Sequence, residues 1–237
     1  MQKKRYAVLT GASRGIGRAL AMAMASRGWD MAVCSRDAVK LKALSDEIQA
    51  MAPNVTIHTM PCDMGQAEQV TAFGKAVQDW FPHVDALVHN AGIFRMGSIL
   101  DEAEGDLEAM WRINVASAYA LTRALVPAMI ERGQGDVVTL CSIASFKAYP
   151  AGGSYGITKH ALLGFTRNLR EELRQTGVRV CAVMPGATLT DSWAEADVAP
   201  ERLMPPEDIA ASILHVLELS PRTVVEEIVL RPQLGDL

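Results

Sequence analysis

The sequence predicts an α/β protein: a doubly wound parallel sheet of about seven strands with helices on both faces, in a single domain. Three observations predict it. Short apolar, β-rich runs alternate with helically patterned segments along all 237 residues. The runs are apolar at consecutive positions instead of every second one, the pattern of strands buried on both faces. A glycine-rich turn follows the first run and opens the first helical segment.

Each element has its own signal. Tyr6–Leu9 is the first expected strand. Ile16–Arg27 follows as a helix, because Ile16, Leu20, Ala23, Met24 and Arg27 recur at three- and four-residue spacing. Met31–Cys34 is the next strand. Asp37 is placed to cap a helix to about Met51, ended by Pro53. Val55–Met60 (strand), Gln66–Trp80 (helix) and Val84–His89 (strand) come next, then one long helix from about Glu104 to Glu131. Asp136–Cys141, the helix Tyr155–Gln175, Val178–Val183, the helix Pro206–Glu218 and the strand Val224–Leu230 complete the order. Two irregular stretches, Ala91–Ala103 and Gly186–Pro205, each follow a strand's C-terminal end, where open α/β sheets bind ligands.

Composition excludes several classes. A net charge of −4 argues against nucleic acid as the main partner. The four cysteines, Cys34, Cys62, Cys141 and Cys181, form no CxxC pair and read as buried free thiols in a reducing compartment. The start, Met1-Gln2-Lys3-Lys4-Arg5, is basic, but the apolar run after it is too short for a signal peptide. No run of about 18 apolar residues is present, so no membrane span and a soluble cytoplasmic protein are expected. The five histidines lack metal-ligand spacing, so no metal is expected.

Thr10-Gly11-Ala12-Ser13-Arg14-Gly15-Ile16-Gly17 links the first strand to the first helix. Glycines there permit a tight turn and bring backbone amides close to a pyrophosphate, and the helix N-terminus adds partial positive charge. The chain therefore reads as a Rossmann-like dinucleotide-binding and catalytic domain over residues 1–237, with 187–205 as a loop covering the substrate. An acid at the end of the second strand would bond ribose hydroxyls and repel a 2′-phosphate. Here Cys34-Ser35-Arg36-Asp37 puts Ser35 at that place, followed by a guanidinium suited to phosphate oxygens. Arg14 can reach the same phosphate. Either arginine can instead be a solvated surface charge, and Asp37 can reach the ribose instead of capping its helix. The expected cofactor is NADP(H), with NAD(H) as the alternative.

Tyr155-Gly156-Ile157-Thr158-Lys159 opens a helix, and residues four apart share a face. A phenol has a pKa of about 10 and is a poor base near neutrality. A neighbouring ammonium stabilises the phenolate, so the pair can exchange a proton with an alcohol oxygen while hydride moves at carbon. Ser142 closes the fifth strand, where its hydroxyl can bond the reacting oxygen. Asn114 sits inside the long helix, which an asparagine slightly disfavours. Asn90-Ala91-Gly92 leaves room for a flat ring or ribose, and Pro185-Gly186 follows the sixth strand.

In order and spacing these motifs resemble the short-chain dehydrogenase/reductase family, in its compact TGxxxGxG and YxxxK form, closely over Lys4 to Thr190 and loosely beyond. The resemblance implies that Tyr155 is the acid/base. Lys159 would lower its pKa and hold the nicotinamide ribose. Ser142 would orient the carbonyl, and Asn114 would support a water relay to Lys159. It also implies an adenine contact from Asp63, a carboxamide contact from Thr190 in Pro185-Gly186-Ala187-Thr188-Leu189-Thr190, and a homodimer or homotetramer through the long helices. The sequence departs from the family at His89, where many members have asparagine, and in a tail, Glu226 to Pro232, without the usual glycines. His160 points away from Tyr155 around the helix.

Phe94, Met96, Phe146, Tyr149, Trp193, Leu203 and Met204 suggest an apolar pocket for a small ketone, aldehyde or secondary alcohol; several of them can equally be core residues. Arg95 and Lys147 can bind an acidic substrate group or remain solvated. Two other functions share these motifs: a sugar epimerase or dehydratase, against which length and glycine spacing count, and a non-catalytic dinucleotide sensor, which has no need of Ser142, Tyr155 and Lys159 together.

Overall fold

A computed structural model describes residues 4–193 and 197–237. The first three residues of the basic start, and 194–196 within the expected covering loop, lie outside the described residues. Seven strands form one parallel sheet: β1 (Arg5–Thr10), β2 (Trp29–Ser35), β3 (Ile57–Pro61), β4 (Ala86–His89), β5 (Gly135–Leu140), β6 (Val178–Pro185) and β7 (Glu227–Leu230). Their spatial order is β3-β2-β1-β4-β5-β6-β7. The winding direction reverses between β1 and β4, and the crevice outside the C-terminal ends of those strands is where such sheets take ligands.

The helices are α1 (Gly15–Ser26), α2 (Ala38–Met51), α3 (Ala67–Trp80), α4 (Asp106–Trp111), α5 (Ser117–Arg132), α6 (Gly153–Leu173) and α7 (Pro206–Glu218). α1, α2 and α7 enclose one core with Ala7, Leu9, Met31, Val33, Ala86 and Val88. Helices α3 and α5, with the C-terminal part of α6, enclose the other, which takes Val8, Ala32, Cys34 and Leu87. Successive residues of one strand thus feed opposite cores, which is why these strands read as unbroken apolar runs. Each fully buried Leu, Val or Met contributes roughly 1.5–3 kcal/mol of transfer free energy. All four cysteines are buried and free.

The structure shifts several boundaries. The helix expected from about Glu104 to Glu131 is interrupted by one π-turn, Arg112–Ala116, between α4 and α5. Ser142 does not close β5, which ends at Leu140; it caps a short 3₁₀ turn, Ile143–Ser145. The last strand covers only Glu227–Leu230. The whole run Asp106–Arg132 is 27 residues with an apolar window of mean hydropathy 1.3, long and apolar enough to cross a membrane by composition alone. Half of that window is buried in the fold, and packing against the sheet explains its character. Leu121, Leu125, Met129, Leu162 and Leu163 are likewise buried, so they offer no surface to a partner.

Candidate active site

A cleft of about 790 Å³ opens across the C-terminal ends of the central strands. Every site residue expected from the sequence lines it except Asn114, which lies behind its wall.

At one end the glycine loop leaves β1 and turns into α1. Gly11 and Gly15 have φ of +70° and +52°, the left-handed region that glycine enters without cost. A Cβ on Gly17 would overlap the Gly11 carbonyl oxygen, so only glycine lets the loop lie on the first turn of α1. Arg14 is the N-cap residue of α1 and gives no side-chain cap, so the first-turn amides have no side chain to bond. Gly15, Ile16 and Gly17 line the cleft there beside Ser13. Open amides, positive φ and a missing Cβ together fit a pyrophosphate. Asn90 serves this loop: its Nδ2 donates to the Thr10 and Gly11 carbonyls, at 2.9 Å each. The Thr10 hydroxyl accepts from the amides of Asn90 and Ala91. Asp63 turns its own chain, its Oδ1 accepting from the Gly65 amide at 2.9 Å. The Thr188 hydroxyl donates to the Gly186 carbonyl at 3.0 Å, and Thr190 packs over Gly15.

The two arginines differ. Arg14 pairs with Asp191 across the cleft mouth at 2.5 Å. Arg36 is exposed at the cleft and pairs with no acid among the described residues. Asp37 caps α2, its Oδ1 accepting from the Lys40 amide at 2.9 Å, and it also lines the cleft. Lys40 itself lines the cleft beside Ser35 and Arg36. Sequence reasoning missed it, yet there was a signal: a cation in the first turn of a helix opposes the helix dipole.

At the other end Tyr155, Lys159 and Ser142 line the same wall. Ser142 Oγ accepts from the Ala144 amide at 3.1 Å, which leaves its hydrogen free to donate. Lys159 is buried; its Nζ donates to the Leu140 carbonyl at 2.7 Å and stands 5.7 Å from the centroid of the Tyr155 ring. Burial pulls the Lys159 pKa down to about 8. Burial also pushes the Tyr155 phenol up from 10, and Ser142 pulls it partly back. The lowering expected from Lys159 does not govern the phenol; burial does, because both groups sit in poorly solvated surroundings where charge is disfavoured. Burial likewise pushes the neighbouring Tyr149 up to about 12. Asn114, at the π-turn, accepts from the Ile93 amide at 2.8 Å. Its Nδ2 donates to the Ile93 carbonyl at 3.0 Å and to Thr158 Oγ1 at 3.1 Å.

The substrate wall departs from expectation in detail. Phe94, Met96, Tyr149 and Trp193 line the cleft. Leu203 and Met204 do not, being buried beneath it, and Phe146 lies outside with Arg231 over its ring. Arg95 pairs with Asp106, and Lys147 with Asp236 at 2.7 Å, so neither is a free anion receptor. Asp236 and Leu237 reach the cleft from the end of the chain, a contact without any local signal. His89 is buried, bonded through Nε2 to the Thr122 hydroxyl at 2.8 Å, and burial holds its pKa down to about 3. His160 is exposed on α6.

The family model described as short chain dehydrogenase matches residues 5–200. Sepiapterin reductase of Chlorobaculum tepidum is 33% identical over 242 residues, spanning 99% of this chain and 98% of that one. Among solved structures, an alcohol dehydrogenase from the archaeon Thermococcus sibiricus, complexed with 5-hydroxy-NADP, superposes with a TM-score of 0.91 at 28% identity over 99% of both chains. The L-sorbose reductase of Gluconobacter frateurii, complexed with NADPH and L-sorbose, gives 0.89 at 26% identity over 97% of this chain and 96% of that one.

Proposed function

This chain belongs to the short chain dehydrogenase family and is an NADP(H)-dependent oxidoreductase of carbonyl or alcohol groups, and on that premise we propose that Tyr155 is its acid/base and that it works as a carbonyl reductase. The observation that carries the proposal is the shared wall of Tyr155, Ser142 and Lys159 at the end of a cleft whose other end fits a pyrophosphate.

The nicotinamide supplies the hydride. The Tyr155 hydroxyl gives its proton to the carbonyl oxygen as carbon is reduced, and the Ser142 hydroxyl, held by the Ala144 amide, donates to the same oxygen. A phenol raised from its ordinary value by burial is protonated at neutral pH, which suits a proton donor. Lys159 stays largely cationic below about 8 and is placed to stabilise the phenolate left behind and to hold the ribose. Asn114 acts on Ile93, holding the chain that borders Lys159; a water relay beside it follows from the family resemblance. Gly11, Ser13, Gly15, Ile16 and Gly17 hold the pyrophosphate, with Ala91, Gly92, Pro185, Gly186, Thr188 and Thr190 along the nicotinamide half. Asp63 borders the adenine. Arg36, with Lys40 and Ser35, takes the 2′-phosphate, and this is the ground for NADP(H) over NAD(H). Of the expected covering loop, Ala187, Thr188, Thr190, Asp191 and Trp193 border the substrate. Trp111, Tyr119 and Ile157, exposed on α4, α5 and α6, suit a homodimer or homotetramer contact. Four free thiols suit the cytoplasm.

The test is NADPH oxidation by the purified protein with a panel of ketones and aldehydes. Tyr155→Phe should lower kcat by about 10²–10⁴-fold while NADPH still binds. Full turnover in that variant would sink the assignment; tight NADPH binding without turnover of any carbonyl by the wild type would favour a sensor.

A further inference from the structure

Residues 93–105 run from the end of β4 to α4 and carry Phe94, whose ring stands edge-on to Tyr155 with centroids 4.8 Å apart. This segment has no regular hydrogen-bonded structure of its own beyond turns near its outer end, so its shape depends on where it is tied. Its inner end is tied by Asn114, which bonds both backbone groups of Ile93. The outer end is tied by Glu102. That carboxylate accepts from the Ser154 amide at 2.6 Å and from the Ser154 hydroxyl. Ser154 is 3% exposed and directly precedes Tyr155. The Gly97 amide adds a bond to the Ala151 carbonyl at 3.1 Å.

The backbone opposite is shaped to receive this tie. Gly153 has φ +24°, and a Cβ there would overlap Glu102 Oε1 and come within 2.5 Å of the Gly97 carbonyl oxygen. Ala151, at φ 59°, is the one non-glycine residue with positive φ among the described residues. A strained residue two positions before a glycine that leaves room for one carboxylate marks a junction held by its surroundings. Glu102 lies outside the cleft and touches none of the residues assigned to the cofactor.

We propose that Glu102 is a positioning residue for the substrate: by clasping Ser154 it holds the 93–102 segment, and with it Phe94, against Tyr155. The role rests on the reductase reading above. It acts on how the carbonyl compound is held, not on proton transfer or nucleotide binding.

Three variants test it: Glu102→Ala removes the clasp, Glu102→Gln keeps an acceptor for the Ser154 amide, and Gly153→Ala pushes an intact carboxylate out. With NADPH and 9,10-phenanthrenequinone as the carbonyl probe, Glu102→Ala and Gly153→Ala should raise KM about tenfold with kcat within about threefold, the split left by lost ground-state positioning. Glu102→Gln should restore most of the KM, and NADPH affinity read by fluorescence should be unchanged in all three. Hydrogen exchange over residues 93–105 should quicken in Glu102→Ala and Gly153→Ala but not in Glu102→Gln. Unchanged exchange in Glu102→Ala, an unchanged KM, or a loss confined to kcat would each overturn the proposal. No turnover of any carbonyl by the wild type would overturn the reductase reading instead, which the exchange comparison does not need.

Discussion

The two ends of the cleft are built on different principles. The nucleotide end is made by backbone and by neighbours in sequence: Gly11, Gly15 and Gly17 sit within seven residues, and Ser35, Arg36 and Lys40 within six. The substrate end collects side chains from far apart: Phe94 after β4, Ser142 and Tyr149 after β5, Tyr155 on α6, Trp193 after β6, and Asp236 near the end of the chain. A phosphate site needs many amides in one tight turn, which a short contiguous motif supplies. A site for one carbonyl needs a few groups converging from several directions, which only a folded sheet supplies. Damage to the glycine loop should therefore be a backbone effect, and damage at the substrate end a side-chain effect.

The comparison can be broken most decisively at Gly17. A Cβ there meets a main-chain oxygen with nowhere to move, so Gly17→Ala should weaken NADPH binding by about 100-fold and cost about 1–3 kcal/mol of stability. A fluorescence titration with unchanged affinity would show that the loop does not hold the pyrophosphate. Next comes Arg36. Losing a charge-assisted bond and gaining a repulsive carboxylate in Arg36→Asp should cost about 10–100-fold in NADPH affinity while sparing NADH. Arg14→Ala should cost less, because that guanidinium is already shared with Asp191. If the two variants lose equally, the pairing in the structure does not govern phosphate binding.

The last test leaves ligand affinity aside and concerns His89, at the C-terminal end of β4. Its folded pKa of about 3 lies below the ordinary 6.5, so between those values the unfolded chain takes up a proton that the folded one excludes. Stability therefore falls as pH drops from about 6.5 toward 3, by at most about 1.4 kcal/mol per pH unit from this group. Thermal unfolding of His89→Asn should show a shallower loss between pH 6 and 4. An identical slope would mean that the folded chain takes up this proton as readily as the unfolded one.

Legibility in the sequence follows the same division. Strand and helix types were readable because alternate strand residues enter alternate cores, leaving an apolar run where a one-sided sheet would alternate; Ala7 and Leu9 face one side, Val8 the other. Tyr155 and Lys159 were readable because one helical turn places them together. Leu203 and Met204 stayed open between pocket and core in the sequence, since a covering loop and a core segment look alike when both are apolar; the fold buries them. Asn114 was visible as an asparagine in a helix, but not the π-turn that presents it to Ile93. Lys40 carried a weak electrostatic signal, and nothing local announced the contacts of Glu102 with Ser154 or of Asp236 with Lys147, which lie 52 and 89 residues away.

By itself the sequence determined the layered parallel fold, the glycine-rich turn at the head of the cleft and the pairing of Tyr155 with Lys159 on one helix face, because each is written in short-range spacing that local geometry translates directly. Only the tertiary structure decided that Arg14 pairs with Asp191 while Arg36 stays exposed, which way burial moves the Tyr155 and Lys159 pKa values, and that Glu102 meets Ser154. Those outcomes depend on desolvation and on contacts between distant segments, and neither exists until the chain has closed on itself.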